Sequence, residues 1–145
     1  MLEERGELWD KYDAGHTIVI TTNCTVRKNG CAVMGRGCAG QAKQRFPKLP
    51  KELGSAIRRF PTDTFYFPQY RLITMPVKHH WFDWATLTLI LRGAATLAGM
   101  GQEQGIPRPI YLPRPGCGNG RLRWEAVKPH LAPLLDDNFI VMHNG

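Results

Sequence analysis

Pro113-Arg-Pro-Gly-Cys-Gly-Asn-Gly-Arg-Leu-Arg-Trp124 is the stretch whose reading decides the fold. It follows the apolar run Ile110-Tyr-Leu112, which reads as a buried strand, and it leads into a helical pattern that begins near Trp124. Three glycines in five residues, Gly116, Gly118 and Gly120, let the backbone turn sharply and let a ligand approach bare N–H groups. They have no expected use in a core. Between the carboxyl end of a strand and the start of a helix, such a loop suits an anion. The plain alternative is a turn that joins strand to helix and does nothing more.

A second loop of the same kind, Val33-Met-Gly-Arg-Gly-Cys-Ala-Gly-Gln41, stands eighty residues upstream and opens a helix expected over 38–45. Two such loops make two walls of one crevice at the carboxyl ends of a sheet, where ligands bind in open α/β folds. Gly35-Arg-Gly-Cys-Ala-Gly40 also fits the dinucleotide fingerprint G-x-G-x-x-G. That fingerprint requires a βαβ unit of about 30 residues with an acidic residue about 20 residues on. Here the helix is followed by the Pro-interrupted Phe46-Pro-Lys-Leu-Pro50, and Asp63 falls at the start of a strand rather than at the end of one. The loops suit a diphosphate without making a Rossmann site.

The 145 residues suffice for one domain with a real core, taken as 1–145. His16-Thr-Ile-Val-Ile-Thr-Thr22 is rich in β-branched residues and reads as a central strand buried on both faces, with Asn23 at its carboxyl end. Gly6-Glu-Leu-Trp9 closes a short first segment, and Tyr12-Asp-Ala-Gly15 and Arg27-Lys-Asn-Gly30 read as turns. A short helix is expected over 51–59, then strands over 64–67 and 70–75 joined by Pro68-Gln69. Pro76-Val-Lys-His-His-Trp81 reads as a polar, aromatic loop leaving the second of these strands. Asp83 is the expected N-cap of a helix over 85–100, with Leu87, Ile90, Leu91, Ala94 and Leu97 on one stripe. A strand over 110–112, a helix over 124–135 that Pro129 or Pro133 can break, and a strand over 139–142 follow. Strands and helices alternate, so the class is α/β, with a mixed, mostly parallel sheet between helix layers.

A formal charge of +7 points to polyanionic partners, but the basic residues are scattered and lack the aromatic interleaving of a dedicated single-strand binder. The longest apolar runs are too short for a bilayer, and the acidic, polar start is unlike a signal peptide, so a cytoplasmic protein with no membrane partner is expected. Cys24, Cys31, Cys38 and Cys117 show no Cys-x-x-Cys or Cys/His clustering, so neither a metal site nor disulfides are expected, and no cofactor is implied. Trp81, Trp84 and Trp124 can stack on bases, but tryptophan at such positions is more often core. His16, His130 and His143 are expected to be structural or exposed.

Asn23 after its strand, Val33-Met-Gly-Arg-Gly37, Pro76-x-Lys78-x-His80-Trp81 and Pro113-Arg-Pro-Gly-Cys-Gly-Asn-Gly120…Trp124, in this order, resemble a macrodomain. The similar branch holds the terminal ADP-ribose protein glycohydrolase and the DNA ADP-ribosyl glycohydrolase antitoxins. The match runs from about Gly6 to Val141, and stand-alone chains of this appearance also resemble phage- and prophage-encoded ones. The resemblance implies a three-layer αβα fold with ADP-ribose lying across the strand ends. It places Glu7, where the family has an aspartate, on the adenine amino group, with the backbone of Leu8 beside it. Asn23 falls beside the distal ribose, and Met34, Gly35, Arg36 and Gly37 run along that ribose and the diphosphate. Pro115, Gly116, Cys117, Gly118, Asn119 and Gly120 hold the diphosphate from the other side.

Lys78 matches the lysine that the DNA-directed branch uses at the anomeric carbon, and with Asn23 it makes the implied catalytic pair. A nucleophilic lysine must spend time as the free amine, which requires a pKa lowered by burial or nearby cations. His79, His80 and Arg114 are the expected neighbours, and Trp81 the expected apolar wall. The protein-directed enzyme carries an aspartate where Gly120 stands here, which favours DNA over protein as the modified macromolecule. The implied protein is a monomeric ADP-ribosyl glycohydrolase. Two alternatives stand beside it: a reader that binds ADP-ribose without turnover, and a basic nucleic-acid-binding domain with no ADP-ribose role.

Overall fold

Strand β2 (Ile18–Asn23) lies inside a six-stranded sheet, where Ile18, Val19 and Ile20 are all fully buried. β-branched side chains tolerate burial on both faces of a strand, and this one has a neighbour on each side. The computed structural model describes residues 1–145, the burial of Gly101 and the side chain of Gln102 excepted. The remaining strands are β1 (Leu2–Arg5), β3 (Phe65–Phe67), β4 (Leu72–Lys78), β5 (Ile110–Pro113) and β6 (Phe139–His143). Their order is β1-β6-β5-β2-β4-β3. All neighbouring pairs are parallel except β3 with β4, so the sheet is mixed and mostly parallel, as expected from the alternation of elements.

Alternate residues of the strands face two cores. On one face Val19, Ile73, Met75, Ile110 and Val141 pack under α4 (Leu87–Glu103) and α5 (Trp124–Leu131). On the other, Ile18, Ile20, Leu72, Tyr111 and Met142 pack under α1 (Leu8–Asp13), α2 (Gly37–Arg45) and α3 (Leu49–Arg59). The result is the three-layer αβα arrangement. No helix among the described residues is long and apolar enough to cross a membrane.

Four expectations need correction. The first segment is a strand and a helix, β1 and α1, not a short segment ending in a turn. β4 does not stop at Met75 but continues through Pro76 to Lys78; β3 reaches only Thr74, so beyond it β4 has a free edge where a proline is tolerated. The N-cap of α4 is Thr86, whose hydroxyl accepts from the Leu89 amide at 3.3 Å, and not Asp83. Finally, α5 contains Pro129 and ends at Leu131 rather than 135.

The seat of α3 is close. A methyl group on Gly54 would stand 1.9 Å from the carbonyl oxygen of Gly30 and 3.1 Å from the amide nitrogen of Ala32, both backbone atoms. Overpacking of this kind costs about 1–3 kcal/mol. Gly54→Ala is therefore expected to lower the urea midpoint of unfolding by a corresponding amount, and an unchanged midpoint would contradict this packing.

Candidate functional site at the strand ends

Five adjacent strands run in one direction, so their carboxyl ends meet on one edge. β1 ends just before Glu7, β6 at His143, β5 at Pro113, β2 at Asn23 and β4 at Lys78. The residues singled out in the sequence thus come to one edge from separate parts of the chain. Asn23 and Lys78 are register partners, set by a bulge between Thr22 and Asn23.

The Asn23 side chain is largely engaged. Its Nδ2 donates to the Val33 carbonyl at 3.0 Å and its Oδ1 accepts from the Thr25 amide at 2.9 Å. An amide offers two donors and two lone pairs, so one N–H and one lone pair are left for a ligand. The same bonds tie the first glycine loop to the end of β2. Within that loop Met34 is buried, while Gly35, Arg36 and Gly37 are exposed. Gly37 has φ +57, a left-handed conformation that favours glycine. A Cβ there would lie 3.5 Å from Asn119 Nδ2, so the two glycine loops face each other at close range.

The three glycines of the second loop do different jobs. A Cβ on Gly116 would lie 2.7 Å from Ile90 Cδ1, and one on Gly120 would lie 2.6 Å from Ala85 Cβ. Both therefore serve packing against α4 and its approach, contrary to the expectation that glycine here has no use in a core. Gly118 alone has open space where a Cβ would be, and with Asn119 it forms the exposed tip. Pro115 is buried, and burial raises the pKa of the half-buried Cys117 thiol, which argues against a thiolate there.

Lys78 is half-buried at the end of β4, and its pKa is lowered, first by desolvation and then by Arg36 and Arg121; Asp83 opposes the shift. The depressing cations are thus one arginine from each glycine loop, not His79, His80 and Arg114. Arg114 instead stands 3.8 Å from Glu3 and lies over the Trp124 ring at 5.3 Å. Trp124 donates to Glu3 at 2.9 Å, so its indole holds β1 to α5. Trp81 and Trp84 are 55% and 60% exposed and are not core.

Two cavities open on this edge. One of about 500 Å³ lies behind the second loop, lined by Arg114, Cys117, Trp124, Met142, His143 and Asn144 among others. The other, about 370 Å³, lies against the first loop and α2, lined by residues including Met34, Gly35, Arg36 and Gly37. Lys78 and Asn23 line neither; they stand on the open edge outside both. Beside the first cavity, Arg114 Nε and His143 Nδ1 are enclosed by protein and lack a hydrogen-bond partner among the described residues. His143, expected to be structural or exposed, and Asn144, which belongs to no motif, line this cavity as well. Glu7 is exposed beyond β1, one residue past Gly6, whose amide donates to the His143 carbonyl at 2.9 Å. The Leu8 side chain is buried, which leaves only its backbone to meet a ligand.

No protein-family model matches the chain. The solved macrodomain of Mycobacterium tuberculosis DarG matches it with a TM-score of 0.79 and 27% identity, covering 97% of this chain and 95% of that one. The chain has the macrodomain fold. In sequence it is similar to the DNA ADP-ribosyl glycohydrolase of M. tuberculosis (strain ATCC 25618 / H37Rv), 31% identical over 131 residues, which cover 83% of this chain. The matched region makes up only 37% of that longer relative. The structure of Thermosipho africanus DarTG in complex with ADP-ribose shares the fold, with a TM-score of 0.77 at 19% identity, over 97% of this chain and 41% of that one.

The placement of Lys78 has a measurable consequence. Removing a nearby cation favours the protonated amine, so Arg36→Gln should raise the Lys78 pKa. Titration of the lysine side chains by heteronuclear NMR checks this: one amine should titrate below the others, and the substitution should move it upward. A Lys78 signal that stays where it was would remove Arg36 from its surroundings.

Proposed function

We propose that residues 1–145 act as one macrodomain unit that binds ADP-ribose across the strand ends and hydrolyses its bond to DNA, with Lys78 as the reacting group. The observation that carries this reading is Lys78 itself: an amine of lowered pKa, set opposite Asn23 on the edge where the two glycine loops meet. The similarity to a DNA ADP-ribosyl glycohydrolase supports the substrate, and the ADP-ribose held by the T. africanus protein supports the ligand.

In this reading the adenine lies over the ends of β1 and β6, with its amino group donating to Glu7. The adjoining cavity, lined by Arg114, Trp124, His143 and Asn144 among others, gives it room. The diphosphate passes between Gly35–Gly37 and Gly118–Asn119, where bare amides and Arg36 meet its charge. The free N–H of Asn23 holds a hydroxyl of the distal ribose. The Lys78 lone pair then forms a bond to the anomeric carbon, and the bond from that carbon to the DNA breaks. Its electron pair leaves with the base, which takes up a proton. Water replaces the amine at the same carbon and regenerates Lys78. Holding the diphosphate makes the attack intramolecular in effect.

Two further observations support the details. A Cβ at Gly120 would also lie 2.6 Å from the Gly116 carbonyl oxygen, so the loop as packed has no room for the aspartate of the protein-directed branch. That supports DNA over glutamate-linked protein. Four free cysteines suit a reducing cytoplasm.

Lys78→Ala tests the reading. Turnover of an ADP-ribosylated oligonucleotide should fall by at least about 100-fold, while calorimetric affinity for free ADP-ribose stays near that of the wild type. The wild-type rate should fall as pH drops through the lowered Lys78 pKa, because protonation removes the lone pair, and level off above it. Normal turnover by Lys78→Ala would mean that another group reacts. ADP-ribose binding without any wild-type turnover would leave a reader.

A further inference from the structure

We infer that Trp81, Phe82 and Trp84 form a stacking platform for the bases of single-stranded DNA beside the modified nucleotide. The inference rests on the reading of Lys78 as the group that meets ADP-ribosylated DNA. Among the described residues, three exposed large hydrophobic side chains fall within four consecutive positions: Trp81 at 55%, Phe82 at 66% and Trp84 at 60% exposure. Single exposed apolar residues are ordinary, but a contiguous group marks an interaction surface.

The platform is fixed to the crevice on both sides. The Cys24 amide donates to the His79 carbonyl at 3.2 Å, and the Trp81 amide donates to Thr25 Oγ1 at 3.1 Å, which ties it to the segment leaving β2. The Ala85 amide donates to the Gly120 carbonyl at 3.0 Å and the Thr86 amide to the Val77 carbonyl at 2.8 Å, which ties it to the second loop and β4. Such anchoring presents the rings without a large ordering cost on binding. The rings also hold one another: His80 and Phe82 stack at 5.3 Å with planes 4° apart, Trp81 stands edge-on to Phe82, and Arg121 lies over Trp84 at 5.6 Å.

Charge and shape choose the occupant. The platform begins three residues after Lys78 and is preceded by His79 and His80, Arg121 lies over Trp84, and Arg36 stands near Lys78, with Asp83 as the opposing acid. Flat aromatic faces with a basic rim match stacked bases joined by phosphates. None of the three rings lines either cavity, so nothing encloses a peptide side chain. A duplex hides its base faces and would meet only the rim. The kind of relative matched favours DNA over RNA.

Fluorescence anisotropy of a labelled, unmodified oligothymidine tests the platform on the whole 145-residue chain. Wild type should bind it at least tenfold more tightly than the same strand in a duplex, and more tightly than oligouridine. Trp81→Ala and Trp84→Ala should each weaken binding by about fivefold or more, the scale of one lost base stack, while Trp81→Phe and Trp84→Phe keep most of it. Free ADP-ribose affinity, measured on the same proteins, should not change. Equal binding of duplex, tighter binding of oligouridine, or alanine variants that bind like wild type would each overturn the platform. Oligothymidine that does not bind a protein able to hold ADP-ribose would also overturn it, and would give the aromatic patch to a protein partner. Failure of ADP-ribose alone to bind, with the oligonucleotide pattern intact, would instead sink the ADP-ribose reading and leave the platform standing.

Discussion

Five neighbouring strands pointing the same way oblige five chain exits to crowd onto one edge of the sheet. Parallel pairing also requires a crossover after each strand, and short crossovers put a loop and a helix start at that edge. The site follows from this geometry more than from any single residue. Glu7, Asn23, Lys78 and the second glycine loop are far apart in the chain and adjacent in the sheet because each follows a strand. The Asn23 side chain, bonded to Val33 and Thr25, then folds the first loop back over the end of its own strand.

Electrostatics on this edge is a contest between two needs. In the proposed reading a diphosphate would draw on cations while a reactive amine must lose its proton, and Arg36 and Arg121 would serve both. Binding the anion beside Arg36 would cancel part of that arginine's effect on Lys78 and draw the amine pKa back up. Desolvation is the larger cause of the shift, and a bound ligand deepens it by covering the lysine. On that reading burial, rather than charge, is what would keep the pKa lowered once the site is filled.

Much of this was legible in the residues. β-branched runs marked β2, glycine loops marked the crevice, and the order of motifs marked the family. The first fifteen residues were not legible, for a physical reason. β1 is an edge strand whose residues are exposed or half-buried, so Leu-Glu-Glu-Arg shows no alternation, and α1 spans only six residues with no side-chain cap. Pro76 hid the end of β4, because a proline usually ends a strand that has neighbours on both sides, and here one neighbour stops short. Tryptophan was legible only in part. Trp124 packs half-buried against the core and is bonded to Glu3, while Trp81 and Trp84 stand in solvent where an apolar count would have buried them. Two of the second loop's glycines are explained by Ala85 and Ile90, contacts that no local pattern announces.

The central claim is that ADP-ribose lies between the two glycine loops at the strand ends. Backbone amide chemical shifts followed during titration with ADP-ribose test it most directly. The largest changes should fall on Gly35, Gly37, Gly118, Asn119 and Lys78, while Thr17, Leu72 and Asn138, at the opposite ends of the strands, stay still. Saturating ligand that leaves the loop amides unmoved, or that shifts the opposite edge instead, would contradict the account.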